Sequence, residues 1–154
     1  METFALSTHY KETWDKIKYL YGDTFTFWES LKLGGIGSPR LILINSTDEE
    51  TQKLINRTNA SKNCNIQLLK NGFLIRFRSK NDEYGIGINF SEIKVLKISR
   101  FKEDESLEDA RIATFFIKPD QKIDLIVRRF ELNRFNRFIE NFLSKKDFDI
   151  IKNT

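Results

Sequence analysis

The sequence predicts an α+β fold: an antiparallel, strongly curled sheet or partial barrel, a C-terminal amphipathic helix, and helical and strand additions at the N-terminus. Three observations carry that expectation. Between residues 64 and 127 apolar residues alternate with polar ones in successive short runs, the period of strands with one buried face. Asn71-Gly72 separates two of these runs, 64–70 and 73–79, and this dipeptide between alternating runs is the strongest short-range hairpin signal. From residue 131 to 145 the period changes. Leu132, Phe135, Phe138, Ile139, Phe142 and Leu143 fall on one stripe of a 3.6-residue helix.

Taken in chain order, Ser7 or Thr8 is positioned to cap a helix whose Tyr10, Trp14, Ile17 and Tyr21 share one side. Residues 24–33 alternate Phe25 and Phe27, then Leu31 and Leu33, and read as a strand or a broken pair of strands. Gly34-Gly35-Ile36-Gly37-Ser38-Pro39 is a turn by composition. A short buried strand follows at 41–44. Thr47 then caps a second helix with Asp48, Glu49 and Glu50 in its first turn, where carboxylates favour the positive end of the helix dipole. That helix ends near residue 59, and 56–65 reads as a polar linker.

In the hairpin, Phe73, Ile75 and Phe77 share one face of the second strand and Leu74, Arg76 and Arg78 the other. Tyr84, Ile86, Ile88 and Phe90 form the next alternating face. Gly85 and Gly87 lie opposite, the mark of a close backbone approach or of bending. Strands at 93–101, at 112–117 and after the Pro119-Asp120 turn complete the run, with an acidic loop at 103–109. The chain reads as one domain over 1–154, with 1–62 an N-terminal extension and 63–147 the core.

Composition narrows the class. The 154 residues are 40% apolar and include 14 Phe, enough for one core built largely of phenyl rings. The 26 basic and 22 acidic residues leave a net charge of +4, a mixed surface that serves solubility and lacks the clustered cations of a nucleic-acid binder. One Cys, Cys64, and one His, His9, provide neither an internal disulfide nor the ligand set of a zinc site. The first ten residues lack the basic start and apolar run of an export signal, and no run approaches the ~20 apolar residues of a membrane span. The expectation is a soluble, cytoplasmic protein.

The run of antiparallel strands ending in one helix, with Tyr84-Gly85-Ile86-Gly87-Ile88-Asn89-Phe90-Ser91-Glu92-Ile93 inside it, resembles bacterial pleckstrin-homology-like (PH-like) domains. The resemblance implies a curled sheet plugged at one end by the helix, and a binding module for phosphoinositide headgroups, peptides or proteins. Phosphoinositide-binding members carry a Lys near the end of one strand and a basic-x-Arg pair on the next, an order met here by Lys70, Arg76 and Arg78. The hairpin departs from the family in being closed by a two-residue turn, which leaves little loop to cradle a headgroup.

Other clusters have competing readings. Arg128, Arg129, Arg134 and Arg137 gather around the start of the last helix, where guanidinium groups either grip an anion or lay their methylenes over the core. The carboxylates Glu103, Asp104, Glu105, Glu108 and Asp109 lack the ligand order and glycine of an EF-hand and read as a solvated loop. The glycine run at 34–37 lacks the Gly-Lys-Ser/Thr ending of a phosphate loop. Trp14, Trp28 and Tyr84 are candidates for an interface, since Trp and Tyr are enriched at hot spots, or for the fold's own core.

No nucleophile, base and orienting group can be assembled from these motifs. The expectation is a non-enzymatic module without cofactor that binds a protein, as an adaptor or immunity-type factor. Alternatives are weak binding of an anionic ligand, a phospholipid headgroup or nucleic acid, through the basic residues, and an unrecognised enzyme.

Overall fold

The alternating runs between residues 64 and 127 become six strands, and three more among the described residues join them in one sheet. The computed structural model describes residues 1–57, 62–101 and 109–153. Its elements are β1 (Glu2–Ala5), α1 (Tyr10–Tyr21), α2 (Phe27–Lys32), β2 (Leu41–Ser46), α3 (Glu49–Asn56), β3 (Asn63–Leu68), β4 (Gly72–Ser79), β5 (Asp82–Asn89), β6 (Ile93–Arg100), β7 (Arg111–Ile117), β8 (Gln121–Val127), α4 (Leu132–Asn141) and β9 (Asp149–Lys152). The strands form one sheet in the order β1-β5-β4-β3-β2-β8-β7-β6-β9. Every neighbouring pair is antiparallel except β6 and β9. No helix among the described residues is long and apolar enough to cross a membrane.

The fold is α+β and mostly antiparallel, as expected, but the strongly curled sheet or partial barrel is corrected. β1 and β9 are edges, and no ladder joins them. Side-chain packing, in place of barrel closure, completes the core. Phe73 of β4 and Phe115 of β7 have ring centroids 5.1 Å apart. Three strands separate β4 from β7 in the hydrogen-bonded order, so a flat sheet would hold them about 19 Å apart. The two halves of the open sheet therefore share one apolar layer. Phe73, Ile75, Phe77, Ile86 and Ile88 contribute from one half, and Leu96, Phe115, Ile123 and Leu125 from the other. The predicted stripe of α4 completes it with Phe135, Phe138 and Ile139, and Leu143 follows just beyond.

A second, smaller cluster lies on the opposite face of β4. Leu74 points away from the main core and is covered by Ile17 and Tyr21 of α1, with Phe4, Leu6 and Leu69 beside them. The two glycines of β5 explain how α1 comes so close. A Cβ at Gly87 would clash with the Tyr21 ring, and one at Gly85 would press on the Leu6 side chain. Close approach is thus the role of both glycines.

Several local expectations are corrected. Residues 24–33 are not strands. Thr26 and Glu29 form a reciprocal capping box, with Thr26 Oγ1 accepting the Glu29 N–H and a Glu29 carboxylate oxygen accepting the Thr26 N–H, and this starts α2. Neither Ser7 nor Thr8 caps α1. His9 is its N-cap at φ 46°, without a side-chain bond. Asp48, not Thr47, caps α3, accepting the Thr51 N–H at 3.0 Å; the Thr47 hydroxyl instead accepts the Lys122 N–H at 2.9 Å.

The first hairpin turns one residue earlier than its sequence signal. The Leu69 N–H donates to the Gly72 carbonyl, so Lys70 and Asn71 are the central pair. Gly72 opens β4, where a Cβ would collide with the Ile88 carbonyl. β1 and β9 were not foreseen. β2, from within the first 62 residues, sits at the centre of the sheet between β3 and β8, so that stretch is woven into the fold. The carboxylates Glu103, Asp104, Glu105 and Glu108, and residues 58–61 where the second helix was expected to end, lie outside the described residues.

Candidate functional site

Strand geometry decides which basic residues can meet. Lys70 stands in the β3–β4 turn, while Arg76 and Arg78 stand towards the far end of β4 on its outer face. The three residues matching the phosphoinositide pattern are thereby divided between two surface grooves.

Arg76 and Arg78 line a groove of about 440 Å³ with Arg40, Ser38, Asn63, Asn65 and Glu83. Arg76 is already engaged there. Its guanidinium contacts Glu83 Oε1 at 2.6 Å, donates to Gln67 Oε1 at 2.8 Å and lies 6.0 Å from the Trp14 ring centre. The guanidinium is the hub of a cross-strand network that includes its nearest carboxylate. Arg78 and Arg40 are exposed, and neither forms an ion pair among the described residues. Cys64 also lines this groove but is buried, and burial pushes its thiol pKa far up, which disfavours the nucleophilic thiolate.

The arginine cluster also divides. Arg134 and Arg137 line a groove of about 360 Å³ against Gly34, Gly35, Gly37 and Pro39. Arg134 lies 3.8 Å from Glu131. Arg129 instead faces Asp109 at 3.7 Å, and Arg128 is half-buried just after β8.

Lys70 belongs to a third groove, which sequence reasoning missed. This groove measures about 570 Å³ and is lined by Lys70, Lys118, Lys145 and Lys146, with Asn71, Asn89, Phe90, Ser91 and one carboxylate, Asp147. Its cations come from the β3–β4 turn, the β7–β8 turn and the segment between α4 and β9. No spacing in the sequence connects these segments. Ile93 pairs with Ile117 across β6 and β7, which sets the Ser91 turn beside Lys118. The Lys118 N–H donates to the Glu92 carbonyl, and the Phe90 N–H to the Asn71 carbonyl. The Lys146 ammonium sits 4.6 Å from the Phe90 ring centre.

The three aromatic candidates also have different surroundings. Trp14 packs against the small cluster under α1, and Tyr84 stacks on Phe77 at 5.7 Å beside the main core. Trp28 projects from α2 and is 71% exposed, as is Phe27; Leu31, one turn on, is 56% exposed. The rings of Phe27 and Trp28 meet edge to face at 5.5 Å. No residue of α2 is buried. Glu29 anchors this helix, and its carboxyl is held below the usual range, first by the backbone and hydroxyl of Thr26 and then by Lys70 3.6 Å away. Among the described residues, no three His, Cys, Asp or Glu side chains gather as a metal site. Comparison of the chain with protein-family models, curated proteins and solved structures finds no match.

Proposed function

We propose that this chain is a non-enzymatic interaction module that docks on a protein partner through α2. The observation that carries the reading is the outward display of Phe27, Trp28 and Leu31 from a helix that buries none of its own residues. A full capping box holds the helix, so its exposed side chains are presented by an ordered element. Aromatic side chains bury about 150–250 Å² each when covered, and Trp is the residue most enriched at interface hot spots. The partner chemistry that fits is an apolar groove receiving one short helical face.

The proposal includes a PH-like core over 63–147, supported by the antiparallel sets β3-β4-β5 and β6-β7-β8, which β2 joins, and by the amphipathic helix that follows them onto the core. It sets the protein in the bacterial cytoplasm, where a lone thiol such as Cys64 has no disulfide to form. Affinity capture at low and high salt, comparing the natural chain with Trp28→Ala, tests the docking surface. A stoichiometric protein partner that persists at high salt, and is lost with Trp28→Ala, is the expected result. Capture that survives Trp28→Ala, or that collapses with salt alone, would remove α2 from the reading.

A further inference from the structure

We infer that the lysine groove is a binding site for a phosphate-bearing ligand. The inference does not need the docking reading of α2, although Lys70 touches that helix through Glu29; it rests on convergence. Lys70, Lys118 and the Lys145–Lys146 pair come from three segments far apart in the chain, yet line one concavity of about 570 Å³ with a single carboxylate, Asp147. That volume lies within the roughly 300–1,000 Å³ typical of small-molecule sites.

Four ammonium groups around a concavity repel one another until an anion enters. Lys118 and Lys145 are exposed and form no ion pair among the described residues. Lys70 has Glu29 at 3.6 Å, on the α2 side, and Lys146 rests on the Phe90 ring. The site therefore retains an excess of positive charge, with ammonium donors on flexible stems that can follow a phosphate as point charges. Asn71, Asn89 and Ser91 place neutral polar side chains on the same wall. The Ser91 hydroxyl donates to Asn89 Oδ1 at 2.9 Å and the Asn89 amide donates to the Leu20 carbonyl at 3.0 Å, so donation to a phosphate falls to the ammonium groups.

The alternative location is the groove lined by Arg40, Arg76 and Arg78, but there Arg76 already holds Glu83. In the lysine groove the Asp147 and Glu29 carboxylates offset two of the four ammonium groups, and two positive charges remain, about the charge of one phosphate group. That excess matches a ligand that presents at least one phosphate. Such a group occurs both on soluble metabolites and on phosphorylated lipid headgroups, and the test separates them.

Tripolyphosphate is titrated into the full chain by calorimetry at about 50 and 300 mM salt, where screening differs strongly. Four proteins are compared: the natural chain, Lys118→Gln/Lys145→Gln, Arg40→Gln/Arg78→Gln, and the charge-matched control Lys11→Gln/Lys18→Gln on the exposed side of α1. Thermal melts check that each is folded. The expected result is saturable binding that weakens with salt and falls about tenfold or more in the Lys118/Lys145 variant, while the α1 control stays within about twofold. Co-sedimentation with phosphatidylcholine vesicles, with and without a phosphatidylinositol bisphosphate, identifies the source. Retention only on the phosphorylated vesicles, lost in the Lys118/Lys145 variant, assigns a headgroup; binding of tripolyphosphate without vesicle retention assigns a soluble ligand. Absence of binding to both probes, equal loss in the α1 control, or loss confined to the Arg40/Arg78 variant would overturn the assignment.

Discussion

The ring of Tyr21 occupies the place where a side chain on residue 87 would begin: a Cβ built on Gly87 falls against Cε2, Cζ and Oη of that ring. α1 is thereby seated on β5 at a distance only glycine permits. Tyr21 is buried, and its ring also meets Phe4 edge to face at 6.0 Å. Gly87→Ala is therefore expected to destabilise the chain by about 1–3 kcal/mol through overpacking. In a Tyr21→Ala background the same substitution should cost much less, since the colliding ring is gone. Denaturant unfolding of the four-member cycle checks it; equal costs in both backgrounds would show that the ring is not the obstacle.

The contact between Phe73 and Phe115 joins the two halves of the sheet. Both rings are fully buried, and Phe73 also packs on Phe90 at 6.0 Å. Phe73→Ala is expected to cost about 3–5 kcal/mol, the loss of transfer energy plus the cavity left between the halves. Phe73→Leu, which refills much of that space, should cost less than half as much. Urea midpoints for both variants measure the difference, and a cost below about 1 kcal/mol for Phe73→Ala would mean that the halves do not depend on this contact.

Much of this architecture was legible where a period persisted over several residues. The face shared by Phe73, Ile75 and Phe77, and the helical stripe from Leu132 to Leu143, both became core. Short segments misled. Phe25 and Phe27 have the spacing of a strand, but the Thr26–Glu29 capping box outweighs so brief an alternation. Gly72 reads as half of a turn in the sequence, but its task is to avoid the Ile88 carbonyl, a tertiary constraint with no local signature. β9 is four residues long and pairs in parallel with β6, so its register depends on a partner some fifty residues away. The basic residues were visible, but their grouping was not. Lys70 shares a groove with Lys118 and Lys145 only once three separate segments have been brought together by the fold.

Arg76 and Glu83 should behave as a structural pair. Both side chains are about one-third exposed, at 31% and 32%, so solvent screens their attraction and the contribution is modest. Glu83→Gln is expected to lose about 0.2–1 kcal/mol at low salt, and the loss should shrink as salt rises. Arg76→Gln should lose somewhat more, since the bond to Gln67 goes as well. Urea unfolding at two salt concentrations makes the comparison. An Arg76→Gln chain as stable as its parent would return that guanidinium to the set available for a ligand.

Cys64 should be silent in the native state. Its thiol is buried between β2 and β4, facing the main core, and burial pushes its pKa far above the ordinary thiol range. An aromatic disulfide reagent that consumes the unfolded chain quickly is expected to leave the native chain untouched at neutral pH, reacting only as fast as molecules open. The sign of the pH dependence follows from the same shift. The unfolded thiol ionises near about 8.5 while the native one keeps its proton. Stability is therefore full below that pH and declines above it, by up to about 1.4 kcal/mol for each further pH unit. The buried Tyr21 hydroxyl, raised chiefly by desolvation and then by Glu92 and Glu2, adds a second loss of the same sign once the pH passes about 10. Comparing alkaline urea midpoints of the natural chain with Cys64→Ala isolates the thiol. Its part of the slope between about pH 8.5 and 10 should vanish in the variant, whereas an unchanged slope would mean the thiol ionises as readily folded as unfolded.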